Sequence, residues 1–178
     1  VDSNQIFIDG LIVPEAHRIG EEGKGFSYLL DSLNPERILI AAEALGIGKT
    51  ALRRAVEYAG QRIVFDRPIG QNQSIQHPLA ENWVELEAAG LLIAKAAHLY
   101  DSGAPAGGMA NAAKYFAAEA GFKAATQAVM TLGGMGYAKE YHVERLLRES
   151  LIPRLAPVSA QMVLNYIAER VLGLPKSY

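Results

Sequence analysis

Three glycines within four residues, Gly133, Gly134 and Gly136, follow a helix-forming run that ends in Met130-Thr131-Leu132. Glycine allows positive φ and close backbone approach, so the segment is either a helix–helix turn or a place where a ligand lies against bare backbone. Glu36, in Leu33-Asn34-Pro35-Glu36-Arg37, stands two residues after an apparent N-cap. A carboxylate there stabilises a helix by about 0.3–1 kcal/mol; the chemical alternative is a general base. Arg62 closes a long helical pattern, where a cation suits the helix dipole and a guanidinium could also hold an anion. Other chemistries fail on spacing. Gly46-Ile47-Gly48-Lys49-Thr50 ends like a phosphate loop, but Glu43 stands where its first glycine belongs and the segment lies inside a helical pattern. No strand precedes Gly133, so the dinucleotide fingerprint fails as well. His17, His77, His98 and His142 lack metal-ligand spacing and no metal is expected. No Ser-His-Asp set is readable.

The elements that must position these residues are mostly helices. Residues 25–33 allow two helical turns, and Asn34-Pro35-Glu36 reads as the start of a new helix. Ile38, Leu39, Ala42, Leu45, Leu52, Ala55, Val56 and Ala59 recur at helical spacing as far as Arg62. Residues 64–73, with Pro68 and Gly70, read as a loop. A second helix is expected over 74–100, with Leu79, Trp83, Leu86, Leu91 and Ile93 in its core. A loop over 101–108 leads to an alanine-rich helix over 109–132. Shorter helices are expected over 139–148 and 158–172, the last stopped by Gly173 and Pro175. Short links between long amphipathic helices imply an all-α, antiparallel up-and-down bundle. Ahead of it, Ile6-Phe7-Ile8 and Leu11-Ile12-Val13 flank Asp9-Gly10 as a short β-hairpin. Two strands are not stable alone, so residues 1–20 read as the end of a β-domain and 21–178 as the bundle. The chain therefore reads as a fragment, or as one subunit of a split enzyme.

The bulk properties narrow the function class. The 178 residues are 50% apolar and 20% charged, with a net charge of −2 and both signs interspersed. This argues against a nucleic-acid or anionic-membrane partner, either of which wants a basic patch. There is no cysteine, which removes disulfides, thiolate metal sites and a cysteine nucleophile and fits a cytoplasmic location. No apolar run nears the roughly 20 residues of a membrane span.

The glycine segment resembles the Gly-Gly-x-Gly-Tyr/Phe motif of the acyl-CoA dehydrogenases, flavoenzymes that oxidise the α,β bond of an acyl thioester. The resemblance covers nearly the whole chain. Arg62 to Phe65 and on to Gln73 resembles the family's Arg-x-x-Phe-Gly-x-x-Ile-x-x-x-Gln segment, with Asp66 in place of glycine. In the family, the arginine and glutamine matching Arg62 and Gln73 reach the flavin of a neighbouring subunit. The resemblance implies FAD as cofactor, held by Arg62, Phe65, Gln73, Met130, Gly133, Gly134, Ser159 and Gln161. It implies an acyl-CoA substrate bordered by Ser27, Asn34, Arg37, Pro157 and Val158. It also implies a homo-oligomer, dimer or tetramer, or a complementary dehydrogenase chain, and an electron-transfer flavoprotein as acceptor.

The base must take the α-proton while a hydride leaves for the flavin. Most members carry it as glutamate in a Tyr-Glu-Gly-Thr segment, which aligns here with Ala156-Pro157-Val158-Ser159. Pro157 replaces that glutamate. A minority place the base in a Leu-x-x-Glu-Arg segment, which Leu33 to Arg37 matches, so the resemblance assigns the base to Glu36. Two departures stand out. Family members use the N–H at the position of Pro157 to bind the thioester oxygen, and proline has none. Met130 also stands where a flavin-facing glutamine is usual. Two alternatives follow: a non-catalytic partner subunit that completes another chain's site, or a related flavin oxidase or monooxygenase on the same fold.

Overall fold

The structure, a computed structural model, describes residues 4–177. Packing divides the chain into two compact units, one ending at Ser32 and the other starting at Leu33.

In the first unit, the hairpin expected at residues 6–13 is not formed. Ile6, Phe7, Ile8, Leu11, Ile12 and Val13 are all exposed and carry no strand pairing. Two isolated strands bury too little to offset their ordering cost. What is ordered here is a 3-10 turn at Glu15–His17 and the opening of α1, Gly25–Gln61. The Glu21 N–H donates to the Tyr28 hydroxyl at 3.1 Å, which closes the turn-rich stretch before the helix.

The second unit is the bundle. α1 runs through Pro35 without a break, so the helix start expected at Asn34 is a correction. Proline forfeits one backbone hydrogen bond, but its φ suits a helix, and Leu33, Glu36 and Arg37 close to it are good helix formers, although Asn34 is not. After α1, residues 63–68 fold into a minimal hairpin where a loop was expected. β1 (Ile63–Val64) pairs antiparallel with β2 (Arg67–Pro68), Val64 opposite Arg67. Phe65 and Asp66 form the two-residue turn with φ of 52° and 60°, the left-handed pair that matches strand twist. Asn72 closes the link to the next helix: its Oδ1 accepts from Arg67 Nη2 and its Nδ2 donates to the Ile69 carbonyl, each at 2.9 Å. α2 (Gln73–Asp101) and α3 (Gly107–Leu132) follow close to expectation. A turn of helix, α4 (Gly134–Tyr137), precedes α5 (Val143–Ser150), α6 (Ile152–Leu155) and α7 (Ala160–Tyr166). The last expected helix is thus shorter, passing into a π-type turn at Ile167–Val171.

Alanine builds the seam. Ala41, Ala51 and Ala55 of α1, Ala89 and Ala96 of α2, and Ala110, Ala113 and Ala117 of α3 are fully buried. Small side chains let three helix backbones approach closely, with Leu79, Leu86 and Leu132 filling the gaps. Several expected core residues lie outside instead: Leu39, Val56, Trp83 and Leu91 are each more than half exposed. The helical period is right, but the buried stripe is the alanine one. Among the described residues, no helix is long and apolar enough to cross a membrane.

Candidate active site

Two groups of the expected residues come together, both within the second unit. The first is a cleft of about 290 Å³ beside the α3–α4 turn, lined among others by Tyr58, Arg62, Met130, Gly133 and Gly134. Arg62 ends α1 and is held there by backbone bonds: its N–H donates to the Tyr58 carbonyl at 2.8 Å and its carbonyl accepts from Ile69 N–H at 2.9 Å. Gly133 caps α3 with φ 59° and ψ −132°, a conformation glycine alone adopts without strain. The three glycines then separate by role. A Cβ at Gly136 would collide with the Val129 carbonyl, whereas Cβ atoms at Gly133 and Gly134 would meet open space. Gly136 is therefore a packing glycine, and Gly133 and Gly134 bare the backbone to the cleft.

Phe65 is 92% exposed at the tip of the hairpin. Its left-handed backbone is costly for an aromatic residue, of order 1–3 kcal/mol, and nothing in the chain covers the ring. Gln73 opens α2 and is also exposed.

The second group joins α1, α3 and α7. Arg37 is half-buried, and its Nη1 donates to Asn34 Oδ1 at 3.2 Å. Its Nε is buried without a partner. Burial pulls the guanidinium below its ordinary pKa, while Tyr166 and Glu36 push the other way. The Tyr166 hydroxyl and Asn34 Oδ1 both lie over Gly107 of α3, 2.6 and 3.8 Å from where its Cβ would stand. Lys114, also on α3, donates from Nζ to the Val158 carbonyl at 2.6 Å. Its pKa is lowered, first by burial and then by Arg37, with Glu119 opposing. Glu36 itself is exposed and takes part in no hydrogen bond or ion pair among the described residues. Because α1 begins at Gly25, Glu36 lies well inside the helix. The dipole role suggested by the sequence is therefore gone, and an unengaged carboxylate remains.

The other expected positions are spread more widely. Pro157 and Val158 are half-buried in the link between α6 and α7, and the Ala156–Pro157 peptide is cis. Ser159 caps α7, its Oγ accepting from Met162 N–H at 3.4 Å, and Gln161 is exposed on that helix. Ser27 lies in the first unit, where its hydroxyl donates to the Lys24 carbonyl at 2.8 Å. No cluster of three His, Asp or Glu that could hold a metal ion occurs among the described residues.

Lys114 was the residue missed from the sequence. It follows Ala110 by four residues and precedes Ala117 by three, but only the packing of α3 shows that this stripe is the buried one.

Comparison with known proteins identifies the relatives of this fold. Residues 23–172 match the family model described as acyl-CoA dehydrogenase, C-terminal domain. Acyl-CoA dehydrogenase fadE12 of Mycobacterium bovis is 46% identical over 176 residues, which is 98% of this chain and 45% of that protein. Butyryl-CoA dehydrogenase from Megasphaera elsdenii superposes with a TM-score of 0.88 at 38% identity, over 90% of this chain and 42% of its own. A glutaryl-coenzyme A dehydrogenase in complex with glutaryl-CoA gives 0.90 at 36% identity, over 96% and 44%. The chain thus spans less than half the length of these relatives.

Proposed function

The chain belongs to the acyl-CoA dehydrogenase family, and we propose that it supplies the helical part of a flavoenzyme that oxidises an acyl-CoA to the trans-2-enoyl-CoA. The observation that carries this reading is the cleft in which Arg62 meets Met130, Gly133 and Gly134, residues drawn from the C-terminal ends of α1 and α3. A guanidinium beside bare glycine backbone suits a diphosphate-bearing planar cofactor, and FAD fits these residues. When bound, FAD supplies the hydride acceptor and passes electrons to an electron-transfer flavoprotein.

The chain's own residues do the rest. Glu36, unengaged and next to Arg37, takes the α-proton. Arg37 and Asn34 border the acyl-CoA, with Pro157 and Val158 beside the thioester. Arg62 and Gln73 reach a flavin held by a second copy, with Phe65 among the flavin contacts, so the working form is a homo-oligomer. Ser159 and Gln161 complete the flavin contacts. The enzyme works in the cytoplasm.

The test is anaerobic addition of short-chain acyl-CoA to the FAD-loaded oligomer. The reading predicts a flavin absorption band that bleaches with acyl-CoA and recovers with an electron-transfer flavoprotein. Bleaching that reverses rapidly when air is admitted, with consumption of oxygen, would assign an oxidase. A bound flavin that acyl-CoA never reduces would leave the chain as a non-catalytic partner.

A further inference from the structure

Lys114 is the largest fully buried side chain among the described residues, 1% exposed on a helix face that is mostly alanine and also holds Asn111, Gly121, Thr131 and Leu132. An ammonium removed from water needs compensation, normally an anion in contact. None is present. Its hydrogen-bond partner is a neutral carbonyl, that of Val158. The acid acting on it, Glu119, is already paired with Arg154 at 2.9 Å, and Arg37 adds a second positive charge nearby. Packing alone would favour an apolar residue at this position.

What the lysine holds is otherwise loose. The Ala156 N–H donates to Ile152, and the Ser159 carbonyl enters α7 through Val163. Between these points Pro157 has no N–H, and the backbone of residues 157–158 makes one hydrogen bond among the described residues, the one from Lys114. The Val158–Ser159 peptide is trans, so its two polar groups point opposite ways. Drawing the carbonyl toward α3 turns the Ser159 N–H outward and sets the plane of the whole link.

We propose that Lys114 is a positioning residue for the reaction, its ammonium anchoring the Val158 carbonyl to α3 and thereby fixing the backbone that borders the thioester. This rests on the functional reading above, in which residues 157 and 158 face the substrate. Lys114 does not touch the reacting atoms. It fixes the link where the loss of an N–H at Pro157 makes placement of the remaining groups more demanding.

The experiment compares wild type, Lys114→Met and Lys114→Arg in the FAD-loaded enzyme that contains this chain. Flavin content, thermal midpoint, the single-turnover rate of flavin reduction at saturating butyryl-CoA, and the apparent affinity for that substrate are measured together. The expected result is a reduction rate at least tenfold lower in Lys114→Met, with flavin content and thermal midpoint maintained and substrate affinity changed less than threefold. Lys114→Arg recovers part of the rate. Unchanged rates in both variants, or a rate loss in both that follows loss of flavin or fold, would overturn the proposal. A wild type that no acyl-CoA reduces overturns the functional reading and this inference with it. A reducible wild type with indifferent variants overturns the inference alone.

Discussion

Glu36 and Lys114 show how far single residues could be read. Glu36 was legible as a candidate only through its neighbours in Leu33-Asn34-Pro35-Glu36-Arg37, because an acid near a helix start has a sufficient structural reason to exist. The structure removes that reason by starting α1 at Gly25. Lys114 was illegible for a different cause. A lysine in an alanine-rich helix reads as solvated unless the buried stripe is known, and the stripe is set by which helix packs on which. Its burial has a measurable consequence. The folded-state pKa lies below the ordinary lysine value, because of burial and Arg37 on α1, with Glu119 on α3 opposing. Between that lowered pKa and 10.5 the unfolded chain binds more protons than the folded one. Stability contributed at this residue therefore rises with pH through that window, and the penalty is complete below it. Denaturant unfolding of wild type and Lys114→Met, from pH 7 upward, should show the variant's stability advantage shrinking as pH rises. A difference that does not vary with pH would place Lys114 outside the folded-state titration.

Among the elements, the long helices were read well and their junctions poorly. Periodicity identifies the body of each helix of 26 to 37 residues, but an end or a junction depends on one or two bonds. Pro35 read as a start and is an interior residue. Residues 63–68 read as a loop because neither Phe65 nor Asp66 announces a left-handed turn as glycine does. Phase was the other weakness: Val56 and Trp83 fit the helical period and still face outward, since alanine occupies the close seam. The α3–α4 turn makes the sharpest element-level prediction. Gly136→Ala forces a Cβ against the Val129 carbonyl and should cost about 1–3 kcal/mol of stability. Gly134→Ala points into open space and should change stability by less than about 0.5 kcal/mol, yet it should weaken FAD binding in the assembled enzyme. Thermal melts and flavin titrations of the two variants check this directly. Equal effects on stability would mean that both glycines serve packing only.

At the scale of the whole molecule, the bundle was legible because three long amphipathic segments joined by short links admit few other arrangements. The hairpin expected at the start was not formed, since strand propensity at Ile6 to Val13 cannot act without a partner sheet. The outward-facing Leu39, Val56, Trp83 and Leu91, with Phe65 at its hairpin tip, leave more large apolar surface than a solitary bundle needs. That surface suits the oligomer proposed here. The site was only half legible. Sequence motifs name the groups on this chain, whereas the chain spans under half the length of its relatives.

The central claim is that this chain contributes the base to an acyl-CoA dehydrogenation. Its most direct test is anaerobic stopped-flow flavin reduction by butyryl-CoA in the FAD-loaded enzyme, wild type against Glu36→Gln. Glutamine keeps the shape and removes the proton acceptor, and Glu36 is exposed, so folding and flavin content should be unaffected. The account predicts a fall in the reduction rate of at least about a hundredfold, the lower range of general-base contributions, with the enoyl product still able to bind. A Glu36→Gln enzyme that reduces its flavin at the wild-type rate would contradict it.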